Sequence, residues 1–136
     1  MTKRVWLLVT AALAVGMLGG VALGRGLSAQ QAAISRKVLL TTDSPGPAGH
    51  ELIMALVEVA PGASAGRHRH PGIEIGYVID GTLVVERDGR AAETVAAGQS
   101  FMNDGVHNPI NRGSTPTKIL AVFAVEKGKP LSEPAP

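Results

Sequence analysis

Three of the four histidines stand in two places, His68-Arg-His70 and His107, and Glu74 follows the second histidine by four residues. In an extended strand, side chains two apart project from the same face, so His68 and His70 lie side by side. Pro71-Gly72 then breaks the strand, and Glu74 opens the next one. Such a corner lets a carboxylate return toward the same point in space. His107 belongs to another expected strand, which a closed sheet could bring across. Three imidazoles and one carboxylate suit a divalent Fe, Mn, Ni, Cu or Zn ion; all-oxygen Ca or Mg sites look different. The chain has no cysteine, which excludes disulfides, thiolate zinc, iron–sulfur clusters and a cysteine nucleophile.

The elements that must position these groups read as short strands and turns. From Arg36 onward no helical periodicity stands out. Apolar clusters occur at Val38–Leu40, Leu52–Val59, Ile73–Ile79, Thr82–Val85, Thr94–Ala96 and Ile119–Val125. Gly and Pro punctuate the gaps, and Asp80-Gly81 and Asp88-Gly89 carry the hairpin signature. Many short strands at such spacing predict an all-β closed or sandwiched antiparallel sheet. Its expected extent is residues 36–128, after a linker at 30–35 and before a flexible tail at 129–136.

Within that body, Met54, Leu56, Val78, Phe101, Met102 and Phe123 are expected to line the interior. Tyr77 has odd parity relative to Glu74 and should face away from it. Arg67 and Arg69 alternate with the histidines, so they should form ion pairs on the opposite face, at the surface or a dimer interface. Ile73, Ile75 and Ile79 should face outward, an apolar surface that a second copy would cover in a homodimer. Asn108 and Asn111 either orient a ligand by hydrogen bonding or serve a turn. His50, beside Gly49 in a Pro/Gly loop, should be solvated.

Residues 62–81 run Gly-Ala-Ser-Ala-Gly-Arg-His-Arg-His-Pro-Gly-Ile-Glu-Ile-Gly-Tyr-Val-Ile-Asp-Gly. This resembles the first cupin motif, with Gly62, His68, His70, Glu74 and Gly81 at its five defining positions. The second cupin motif is matched at His107 and Asn111, with a remodelled turn around Asp104-Gly105 before them. The chain looks like a small single-domain cupin, similar to the quercetin-dioxygenase-like bacterial monocupins. The resemblance implies one jelly-roll barrel with a divalent metal in its mouth, held by His68, His70, Glu74 and His107. It also implies a small-molecule substrate or ligand. A metal with open positions admits substrate and O2, which is dioxygenase or related oxidoreductase chemistry. Glu74 would then act as general base on a substrate hydroxyl. The alternative is a non-catalytic barrel that binds a metal or small molecule as a sensor.

The first 29 residues differ from the rest. Lys3 and Arg4 precede Val5–Gly24, 20 residues without a charge, and a small-residue exit follows. This reads as a hydrophobic helix serving as a signal peptide or membrane anchor. Ala12, Gly16, Gly20 and Gly24 recur at the spacing of close-packing membrane helices. Either reading exports the barrel to the periplasm or beyond, with membrane contact only through this segment. The segment also holds Lys3, Arg4 and Arg25, so the other 107 residues carry 10 basic and 11 acidic side chains and a formal charge of −1 instead of +2. Without a basic patch, and with only four aromatic residues, nucleic acid is excluded as an expected partner.

Overall fold

Apolar and polar burial alternate along β4 (Gly72–Asp80), where Glu74, Gly76 and Val78 face inward and Ile73, Ile75, Tyr77 and Ile79 face solvent. The same two-residue period governs β2 (His50–Val59) and β9 (Thr117–Glu126). The computed structural model describes residues 33–136. The hydrophobic segment 1–29, with its expected helix, lies outside the described residues.

Among the described residues there is no helix. The other strands are β1 (Ile34–Asp43), β3 (His68–Arg69), β5 (Thr82–Arg87), β6 (Glu93–Ala96), β7 (Ser100–Asn103), β8 (His107–Ile110) and β10 (Glu133–Pro134). They form two five-stranded antiparallel sheets, ordered β1-β2-β9-β4-β7 and β10-β3-β8-β5-β6. The core between them includes Val59, Val78, Leu83, Val85, Phe123 and Val125. The all-β expectation holds, and the two sheets make the jelly-roll barrel.

Three lining assignments need correction. Val78, Phe101 and Phe123 are buried, but Met54 and Leu56 occupy the outer parity of β2, behind inward-facing Ala55, Val57 and Val59. Met102 is 47% exposed, whereas its neighbour Phe101 turns in. The runs are apolar on both faces, so hydrophobicity alone could not set the parity; local space does. Ala55 is small enough to face Ala121 across β2 and β9. The Phe101 ring lies over Gly76, where a Cβ would stand 2.2 Å from a ring atom.

The turns also differ in part. Asp80-Gly81 is no hairpin, because β4 and β5 lie in different sheets. Gly81, at φ +82°, carries the chain across the barrel edge where a Cβ would meet the Pro116 carbonyl at 2.9 Å. Asp88-Gly89 does connect a paired hairpin, β5–β6, but no non-glycine residue among those described has positive φ. The two-residue turn implied by Asp-Gly is therefore replaced by a longer loop.

Both ends of the barrel extend past the expected limits. Ile34, placed in the linker, already pairs with Val59. The tail at 129–136 is not a loose extension: Glu133 and Pro134 pair with Arg69 and His68, and Ala135 N donates to the Arg67 carbonyl. Backbone pairing to an otherwise short edge strand holds it, and prolines tolerate that position because edges need fewer donors.

Candidate metal centre

β3 and β8, which carry His68 and His107, are adjacent in one sheet, and the register sets the two histidines opposite each other. Pro71-Gly72 then carries the chain into the other sheet. Glu74 on β4 lies between Asn103 of β7 and Phe123 of β9 in one inward-facing cross-strand row. Imidazoles from one sheet thus meet a carboxylate from the other inside the barrel.

His68, His70 and His107 bring ligand atoms within 4.8 Å of one another, and their ring centroids are 4.4 to 5.1 Å apart. Each Nδ1 faces a backbone carbonyl: His68 that of Gly66 at 2.8 Å, His70 that of Leu131 at 2.6 Å, His107 that of Gly105 at 2.9 Å. These contacts assign the proton to Nδ1 in all three rings and leave the Nε2 lone pairs turned inward. His70 Nε2 and His107 Nε2 are buried without a hydrogen-bond partner. They lie 3.5 and 3.4 Å from Glu74 Oε2, an acceptor facing acceptors. Leaving such an atom dry costs about 1–3 kcal/mol. A cation would satisfy these atoms together, so the donor set fits a divalent transition metal.

Burial works against a charge on Glu74; His107 and His70 oppose it only when they carry a proton on the facing nitrogen, and the Asn103 amide, which donates in either case, opposes it too, so the carboxyl is held below its usual range. Burial is also the main reason His68 titrates below its ordinary value; the Gly66 carbonyl opposes the shift, and the two neighbouring imidazoles add to it. A neutral His68 is the form that offers a lone pair.

Two residues missed in the sequence complete the surroundings. Asn103, 2% exposed, donates from Nδ2 to Glu74 Oε2 at 2.8 Å and accepts from Arg87 Nε at 2.8 Å. Arg87 in turn pairs with Glu93 at 2.8 Å. The chain Glu93–Arg87–Asn103–Glu74 runs from the surface to the site. Parity was the available signal: Asn103 shares the inward face with Phe101, and Arg87 with Leu83 and Val85.

The remaining assignments separate cleanly. Arg67 grips Asp88 through two bonds of 2.6 and 2.9 Å, and Arg69 pairs with Glu133 at 3.3 Å, both on the exposed surface. Tyr77 faces outward, as its parity required. Asn111 takes the turn role: it donates to the Val59 and Thr115 carbonyls and accepts from Gly113 N. Asn108 bonds Ser64 and Glu86, with no bond to a histidine. His50 is not in the loop as expected: it opens β2 opposite Glu126 and is half-buried, with its Nδ1 facing the Ala48 carbonyl.

A cavity of about 40 Å³ reaches His68, His70, Glu74 and His107, with walls that include Val57, Leu83, Phe101 and Ile119. Among families, the cupin domain model matches residues 55–123, the span from the inner face of β2 through the site to β9. The chain belongs to the cupin family. Among curated proteins, none shows significant sequence similarity to this cupin. Solved structures do resemble it. A double-stranded β-helix protein from Klebsiella pneumoniae is 22% identical, covering 74% of this chain and 84% of that one at a TM-score of 0.59. The Cupin_2 domain of an XRE family transcriptional regulator from Enterobacter cloacae is 25% identical, covering 67% and 95% at 0.53. An oxalate oxidase solved with glycolate is 26% identical at 0.57; the match covers 71% of this cupin and 53% of the oxidase, about half its length.

Proposed function

We propose that this protein is an exported cupin that holds one divalent transition metal and uses it in dioxygenase or related oxidoreductase chemistry on a small organic substrate. The observation that carries this reading is the convergence of inward-facing histidine Nε2 atoms and the Glu74 carboxylate at a ligand-accessible cavity. When bound, the metal supplies a Lewis-acid centre with positions left for substrate and O2. His68, His70 and His107 would hold it through Nε2, and Glu74 would provide the carboxylate ligand. Glu74, fixed by Asn103, is also the base that takes a substrate hydroxyl proton. Val57, Leu83, Phe101 and Ile119 keep bulk water from the reacting groups.

Cavity size limits the substrate. A water needs roughly 10–15 Å³ by the same measure, so about 40 Å³ suits a molecule of a few heavy atoms. The likeness to an oxalate oxidase solved with glycolate supports a substrate of that size over a polyphenol. Export rests on the sequence of residues 1–29, and outside the buffered Fe(II) pool of the cytoplasm manganese or copper is favoured for O2 chemistry, zinc having no redox chemistry and suiting only a non-catalytic barrel. The exposed apolar face of β4 supports pairing of two copies as a homodimer.

A second reading, a non-catalytic sensor barrel, draws on the likeness to a regulator's cupin domain. Anaerobic loading with Fe(II), Mn(II) or Cu(II), followed by O2-uptake assays on small hydroxy acids, diketones and phenols, separates the two. The enzymatic reading expects substrate-dependent uptake that E74Q abolishes. Ligand binding without uptake under any metal establishes the sensor reading instead.

A further inference from the structure

One cation outside the histidine cluster lines the same cavity. Arg36 stands two residues after Ile34 on β1, and both reach the cavity wall. Its cross-strand partner is the inward-facing Val57, so the arginine lies on the inner face of the sheet. Its guanidinium sits 5.5 Å from the centre of the Phe123 ring. That same ring packs edge-on against His70 at 4.8 Å, so the guanidinium is no farther from His70 than those two separations combined.

The five other arginines among the described residues, Arg67, Arg69, Arg87, Arg90 and Arg112, each meet a carboxylate. Arg36 makes no ion pair among the described residues. Contact with an aromatic face steadies a guanidinium without using its N–H donors. Arg36 is exposed at the rim of a cavity whose far wall carries the histidines and Glu74, and a planar fork of donors there is matched by a carboxylate.

We infer that Arg36 is the specificity-determining residue of this cavity, pairing with the carboxylate of a small organic acid whose second oxygen function faces the histidine cluster. The inference rests on the reading of the cluster as a ligand-binding metal centre, and it names the substrate class. The competing role is structural: β1 is an edge strand, and an inward-pointing charge on an edge discourages pairing with other chains. That role needs no ligand.

Calorimetric titration of glycolate and of uncharged glycolamide into the Mn(II)-treated full chain tests the inference, with R36Q and R36K alongside and metal content measured in each. Wild type should prefer glycolate by about tenfold or more, the scale of a charge-assisted hydrogen bond. R36Q should bring that preference close to unity with metal content unchanged, and R36K should retain part of it. Equal glycolate binding by wild type and R36Q, or no preference in wild type, would overturn the inference while leaving the metal centre intact. A wild type without metal that still prefers glycolate in an Arg36-dependent way would uphold Arg36 and remove the metal reading.

Discussion

At the scale of single residues, each candidate ligand histidine is aimed by a backbone carbonyl on its far nitrogen, and Glu74 is aimed by a side chain. Asn103 is the more exposed to mutation of these supports, because a carbonyl survives any substitution at its own position. Groups that orient ligands typically matter by 10–100-fold in metal affinity. Asn103→Leu should therefore weaken metal binding by about tenfold or more in a chelator competition titration, and Asn103→Asp should weaken it further by setting two carboxylates together. Affinity unchanged in both variants would remove Asn103 from the site. The four ligand candidates were legible because His-x-His parity and the Pro-Gly corner leave few places for those side chains. Asn103, Arg87 and Arg36 are common residue types whose meaning lies in strand parity and register. Register is set by long-range pairing such as Glu74 with Asn103, which one sequence does not display.

At the scale of elements, the segment after β9 changes role. Leu131 offers its carbonyl to His70 Nδ1 at 2.6 Å, and β10 then pairs with β3 beneath His68. Removing residues 129–136 should leave the β-sheet signal in far-ultraviolet circular dichroism intact while lowering metal affinity by about 10–100-fold. A truncated chain with wild-type affinity would show that His70 is oriented without it. Nothing in Lys127–Pro136 announced this, because the contact is made by a backbone carbonyl that every residue possesses. Likewise, Asp80-Gly81 was readable as a turn but not as a crossing between sheets, since a dipeptide fixes local φ and not the partner of the next strand.

At the scale of the whole molecule, the outer face of the first sheet carries an unbroken apolar row. Leu40, Met54, Val122, Ile75 and Met102 are successive cross-strand partners over all five strands, and Leu40, Ile75 and Met102 are about half exposed. If two copies cover this face, light scattering on residues 30–136 should give a dimer mass, and Ile75→Glu should give a monomer with its metal content kept. A monomeric wild type would refute the pairing. The outward parity of Ile73, Ile75 and Ile79 was legible in the alternation of β4; the row across strands was not, for it exists only once register is set. The all-β class was legible from turn spacing, and the clustering of His68, His70 and His107 from histidine placement in a chain without cysteine.

The central claim is that the inward-facing nitrogens of His68, His70 and His107 hold a metal. Elemental analysis of the protein purified from its native compartment, repeated on His68→Ala, tests it most directly. The expected result is close to one equivalent of a divalent transition metal per wild-type chain and loss of most of it in the variant, with the fold retained. A folded wild-type protein that carries no transition metal, or a His68→Ala protein that keeps the full equivalent, would contradict it.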